Sequence, residues 1–463
     1  MRKKGRILLA LLFCMVCVFG GCGKSDGNTS RTQKEENLQS GGNEDQKDIS
    51  SGEETDAQEK EVYVQPKMKG EISISCFVEQ EFLVTAAEQF MDIYPDVTVK
   101  INVYNETSGA GSVEDYQTYL NTKIMTGKAE DIIFNSFLPV MKYSEMGVFE
   151  DLSRYIALTP EFNDENYFMN VLEAAREESG EIYMIPYMAK FDVVGFSDVL
   201  LEEQPGVESR LQSAGFSERM DVAKELVQNT DKNNAFLIML NEVTYADYLI
   251  EDAWNDFVDV EKKEANFNSE DYISLLKEVK ELSESSAFDA DVDFYNTEYY
   301  YAATCDYDVQ AAFYELDEQS GLSYSMPLAD SEGNVAINAN YCLALNSASG
   351  NKDLAWEFMK YLLSEEVQSL PSVHGLAVNK KGFEAAAERY YNFYAEGSSG
   401  SVDRTEYGGL LQSWMEQIND CDTVDSALWT LIEEENGKFF EGKQTAEDTA
   451  SVLQRKIEQY FNE

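Results

Sequence analysis

From Lys67 onward the chain alternates between two hydrophobic rhythms. Ile72, Ile74 and Cys76 alternate with Ser73 and Ser75 at period two, the mark of a strand, and Phe82, Ala86 and Phe90 then recur at helical spacing as far as Pro95. Val97, Val99, Ile101 and Val103 return to period two, Tyr116, Tyr119, Leu120 and Ile124 to helical spacing, and Asp131-Ile132-Ile133-Phe134 reads as a buried strand. The order βαβαβ predicts an α/β fold of mainly parallel sheets flanked by helices. In such sheets ligands lie beyond the carboxyl ends of the strands, here near Phe77 to Gln80 and at Asn135-Ser136. Later, Asn268 or Ser269 caps a helix carrying Tyr272, Leu275, Leu276, Val279 and Leu282 on one face. Leu354, Phe358, Tyr361 and Leu362 mark another, and Thr445 introduces a last one with Leu453, Ile457, Tyr460 and Phe461.

Ahead of this region the rhythm is different. Arg2, Lys3, Lys4 and Arg6 precede an apolar run from Ile7 to Gly21, the pattern of a signal peptide over residues 1–21. The run is shorter than the roughly 20 residues that span a bilayer as a helix. It ends in Phe19-Gly20-Gly21-Cys22, which resembles a lipobox with Phe19 where Leu is usual. Acylation of Cys22 would hold the chain to the outer face of the membrane, each buried methylene adding about 0.8 kcal/mol. Residues 22–66 are poor in apolar side chains and read as a disordered tether. As a flexible coil it would hold the folded part about 35 Å from the lipid.

Close to 400 residues remain, more than one core normally takes, so two lobes are expected. Removing the four signal cations from 36 Lys and Arg leaves 32 against 86 Asp and Glu, a formal charge of −54. Such a balance argues against nucleic acid, whose binding needs cations against phosphate, and is itself explained by solubility. Of the seven cysteines, Cys76, Cys305, Cys342 and Cys421 remain once the signal and the acylated residue are set aside. None has a neighbour at metal-ligand spacing, and buried thiols and disulfides are both compatible with the sequence.

Four stretches, in order along the chain, resemble the family 1 extracellular solute-binding proteins of ABC importers, the maltose-binding type. They are Tyr119 to Ile133, Gly180 to Tyr187, Ala344 to Gln368 with Asn351-Lys352-Asp353-Leu354-Ala355-Trp356, and Gly442 to Asp448. Phe196-Ser197-Asp198 stands where that family usually has Asn-Lys-Asp. The resemblance implies a two-lobed fold with three interlobe crossings, lobe 1 comprising 67–190 and 335–373 and lobe 2 comprising 191–334 and 374–463. It also implies a monomer that captures a small polar solute, a sugar or oligosaccharide first, between its lobes and delivers it to ABC permease subunits. No cofactor or metal is expected.

Candidate ligand contacts follow from both lines of reasoning. Phe77 and Glu79 follow the first strand, and Asn135 and Ser136 the third. Tyr187, Phe191 and Asp192 surround the first inferred crossing, while Asn340 and Tyr341 lie at the second. Trp254 sits on a helical stretch, and Tyr299 belongs to a run of three tyrosines that cannot all face inward. The 27 Tyr, 25 Phe and 4 Trp could supply the faces that cover sugar C–H surfaces, although most must be core. Catalytic signals are sparse, because the one histidine, His374, has no serine elbow and no His-Glu-x-x-His motif beside it. The other functions in view are a surface-anchored glycoside hydrolase and an adhesin or sensor lipoprotein, and the other ligands a peptide or a polyamine.

Overall fold

A computed structural model describes residues 65–462, apart from 106–112, 136–137, 178, 213–219, 223, 226–240, 260–261, 285–300, 303–307, 325–326, 328, 330–332, 399–401 and 423–425. Cys22, Ser136 and Tyr299 therefore lie outside the described residues. Alternation places Ile72, Ile74 and Cys76 at 0–1% exposure in β1 (Gly70–Val78). This strand pairs in parallel with β2 (Val97–Asn105) and β3 (Ile132–Phe134). Beyond β3 the sheet turns antiparallel, because β11 (Cys342–Leu345) returns from the far part of the chain to lie between β3 and β4 (Ile185–Pro186). The parallel arrangement expected from the sequence thus covers β1 to β3, and the order is β2-β1-β3-β11-β4.

Polar side chains knit this sheet at its amino edge. Asp131 accepts from the Ser73 amide at 2.8 Å, the Ser73 hydroxyl at 2.9 Å and the Ser349 hydroxyl at 2.6 Å, joining β1, the start of β3 and the turn after β11. Asn346 donates to the Glu130 carbonyl at 3.0 Å on the same edge. A depression of about 410 Å³ lined by Pro66, Tyr155, Asn351 and Lys352 lies here too, at the amino rather than the carboxyl ends of the parallel strands.

A second group of strands follows β4. β5 (Gly195–Ser197) is central to an antiparallel trio with β8 (Tyr301–Ala302) and β9 (Leu322–Ser323). β6 (Val258–Asp259) and β7 (Glu264–Ala265) pair locally, and β10 (Ala336–Asn338) runs parallel to β12 (Asp420–Asp422). Gly195 has no room for a side chain, since a Cβ there would stand 2.2 Å from the Tyr324 ring.

Two hydrophobic cores result. One fills the main sheet and continues through Tyr187, Met188, Ala189, Phe191 and Val193 to the helices Asp308–Leu316, Lys380–Gly397 and Arg404–Met415. The other joins Glu242–Asp252, Glu270–Ser283, Ser426–Phe440 and Ala446–Phe461. Ser269 caps the second of these by accepting from the Tyr272 amide at 3.3 Å, and its five apolar positions are all buried, as the periodicity predicts.

Three chain segments pass side by side within the first core. The Ala189 amide donates to the Leu376 carbonyl at 2.7 Å, the Leu376 amide returns to the Ala189 carbonyl at 3.3 Å, and the Asn338 amide donates to the Lys190 carbonyl at 2.8 Å. Gly375 permits this approach, because a Cβ there would meet the Met188 sulfur at 2.6 Å. Gln368, fully buried, donates to the carbonyls of Tyr187 (2.8 Å) and Leu362 (3.0 Å) and accepts from the Val378 amide (3.1 Å). Replacing it with leucine leaves those buried backbone groups without their partner. Gln368→Leu should therefore lose about 2–4 kcal/mol of unfolding free energy in urea titration, against less than about 0.5 kcal/mol for substitution of an exposed polar residue.

Candidate functional site

The carboxyl ends of β1 and β2 carry an aromatic group. Phe77 is half-buried and lies 6.3 Å from Tyr104, nearly parallel at 20°, and 5.5 Å from Tyr116. Tyr104 in turn packs 5.1 Å from Tyr119, which is 36% exposed and carries the Lys123 ammonium 4.6 Å over its ring. The strands supply Phe77 and Tyr104, and the helix Val113–Met125 supplies the other two. Glu79 is exposed just beyond β1. An apolar platform with a carboxylate at its rim is the result.

Asn135 and Tyr187 turn inward instead. Asn135, 3% exposed, donates its amide to the Ala339 carbonyl at 2.7 Å and accepts from the Leu138 amide at 3.1 Å. Tyr187 is 4% exposed among Phe82, Phe134 and Tyr341, with ring centroids at 5.2, 5.1 and 6.2 Å, and burial pushes its hydroxyl pKa upward. In this conformation neither presents a surface to a solute. The strand-end position made them candidates, but strand ends beside a crossing also leave carbonyls to satisfy, and Asn135 is spent on one. Phe191 is core as well, at 3% exposure and 6.5 Å from Trp414. Asn340 and Tyr341 are half-buried on the turn Ala339–Tyr341, whose opening is fixed by the Asn340 amide donating to the Asn338 side chain at 2.9 Å.

Asp192 has company that its sequence neighbourhood does not reveal. Glu251, at the end of the helix Glu242–Asp252, hydrogen-bonds Asp422 of β12, and Asp192 adds a third carboxylate. Glu251 itself is exposed, with protein packed close to its carboxyl. Burial first, then the charges of Asp422 and Asp192, hold its carboxyl well above the usual range. Trp254 opens the next short helix, Trp254–Phe257, and is half-buried with its ring 6.1 Å from that of Trp429. Sequence reasoning missed Glu251, Asp422 and Trp429, which come from separate stretches that no sequence spacing connects.

Among the described residues no group of three or more His, Cys, Asp or Glu has the geometry to hold a metal ion, and no helix is long and apolar enough to cross a membrane. His374 is exposed on the third crossing segment.

The sequence pattern of the bacterial extracellular solute-binding protein family matches residues 78–369, well over half of the 463-residue chain. This protein belongs to that family. No curated protein matches this solute-binding protein in sequence. Among solved structures it is similar to the sugar-binding protein MalE of Xanthomonas citri, with a TM-score of 0.56 and 13% identity over 85% of this chain and 98% of that one. An ABC substrate-binding protein of Listeria monocytogenes, in complex with cycloalternan, aligns at 0.52 with 16% identity over 85% and 99%. A periplasmic oligogalacturonide-binding protein of Yersinia enterocolitica aligns at 0.52 with 12% identity over 85% and 99%. At these identities the likeness is one of fold: an α/β protein of two lobes joined by crossing segments, which the hydrogen bonds at Ala189, Asn338 and Leu376 hold together.

One buried carboxylate of this solute-binding protein tunes its stability. Asp247 accepts from Asn436 at 2.7 Å, and Asn436 accepts from the Tyr272 hydroxyl at 2.5 Å. Burial, reinforced by Glu433, pushes Asp247 up from 3.8 to about 7. The folded state therefore holds a proton that the unfolded state releases, and stability falls as pH rises from about 4 to about 7, then levels. Over that window the loss is about 4 kcal/mol. Asp247→Asn keeps an acceptor for Asn436 without the charge. Its stability advantage over wild type in urea titrations should grow across the window and stay constant above pH 8.

Proposed function

We propose that this chain is the lipid-anchored receptor of an ABC importer, capturing a small polar solute, a sugar or oligosaccharide, between its lobes. The observation that carries the reading is the pairing of partly exposed aromatic faces with carboxylates: Phe77, Tyr104 and Tyr119 with Glu79, and Trp254 and Trp429 with Glu251, Asp192 and Asp422. Aromatic faces cover the C–H surface of a pyranose, and carboxylates accept from its hydroxyls. The neighbours whose names mention cycloalternan and oligogalacturonide support the same class of ligand. Asn340 and Tyr341 complete the proposed contact set at the second crossing, while Asn135, Tyr187 and Phe191 set its geometry from within. Closure of the lobes on the solute shifts the population toward the state that docks on permease subunits. The protein acts as a monomer and turns over no substrate, unlike a surface-anchored hydrolase.

Isothermal titration of the purified protein against neutral and acidic oligosaccharides, peptides and polyamines tests this reading. A sugar should bind stoichiometrically without hydrolysis. Phe77→Leu and Trp254→Leu should each weaken it by about tenfold, which is about 1.4 kcal/mol, while thermal melting stays within a few degrees of wild type. Tight binding of a peptide or polyamine with no sugar response would overturn the ligand class.

Anchorage is tested separately. Cys22→Ala should release the protein into the medium while wild type partitions with membranes, and equal partitioning of the two would assign the anchor to the signal run itself.

A further inference from the structure

We infer that Cys342 and Cys421 form a disulfide bond that fastens β12 to the second crossing. Cys421 is the middle residue of β12 and pairs with Ile337 of β10. The chain leaves β10, makes the single turn Ala339–Tyr341, and enters β11 at Cys342. That turn brings the two sulfurs together, so that in this structure they are adjacent thiols interacting as hydrogen-bond partners. Both are buried, at 0% and 6% exposure.

Cys76 is the other described thiol, and sheet geometry removes it as a partner for Cys342. It lies on β1, with β3 between it and β11. Two strand spacings are about 9–10 Å, beyond the Cα separation of about 7 Å that a disulfide tolerates. Proteins of an extracellular family fold where disulfides persist.

The bond forms by exchange. The Cys421 thiolate attacks a low-molecular-weight or protein disulfide, R–S–S–R, and expels one RS⁻; the Cys342 thiolate then attacks the Cys421 sulfur and expels the second. Two protons and two electrons pass to the oxidant, which leaves as two RSH. Cys421 is the attacking sulfur because it is the more accessible of the pair. In the folded chain its Cys342 neighbour, burial, and the charges of Asp422 and Asp420 all hold it protonated. Exchange is accordingly slow once the protein has folded, and oxidation belongs to the folding step. The bond closes the chain between positions 342 and 421 and fixes Asp422, the hydrogen-bond partner of Glu251, relative to the second crossing.

The test uses the full chain, reduced and denatured, then refolded with oxidised glutathione as the only oxidant, alkylated and digested without reductant. The expected product is one linked species containing the Cys342 and Cys421 peptides, which separates on reduction with a gain of two hydrogens. Oxidised protein should melt about 5 °C above the same protein refolded with excess reductant, and this difference should vanish in the Cys342→Ser/Cys421→Ser double variant. Recovery of either peptide alkylated as a free thiol, or of Cys421 linked to Cys305 or Cys76, would overturn the inference. The mapping is made on wild-type chain without any solute, so it stands apart from the identity of the ligand.

Discussion

The antiparallel exchange of hydrogen bonds between Ala189 and Leu376 is the constraint on which the rest of the molecule depends. A chain that passes three times through a buried core must bury backbone at each passage, and buried amides and carbonyls must find partners. Here the passages satisfy one another: the first pairs with the third, the second donates to Lys190, and Gln368 binds the ends of the first and third together. Close approach then follows from sequence, since Gly375 is the residue at which a Cβ would strike Met188. Such a junction ties the three crossing segments to one another.

Two clusters carry the candidate chemistry. The platform of Phe77, Tyr104 and Tyr119 is held from below by Tyr116, fully buried, so the rings are presented rather than free to collapse. On the other core, burial and the neighbouring charges of Asp422 and Asp192 raise the Glu251 carboxyl above the usual range.

Local structure was largely legible in the sequence. The period-two runs gave β1 and β2, Ser269 and Thr445 proved to be helix caps, and the faces of Glu270–Ser283 and Ala446–Phe461 fell where the spacing put them. The antiparallel insertion of β11 was not legible, because nothing in a run such as Cys342-Leu343-Ala344-Leu345 encodes which neighbours it will join. The site shows the same divide. Phe77, Asp192, Asn340 and Tyr341 could be nominated from strand ends and crossings, but whether such a residue faces solvent depends on the carbonyls around it, which is why Asn135 and Tyr187 lie inside. Glu251, Asp422 and Trp429 come from distant stretches and meet only through the second core's packing and the β10–β12 pairing.

Small-angle X-ray scattering from the purified protein, with and without a saturating oligosaccharide identified by titration, tests most directly whether the crossings act as a hinge about this junction. The radius of gyration should fall on saturation and remain unchanged with a sugar that does not bind. Stoichiometric binding with identical scattering in the two states would contradict the account.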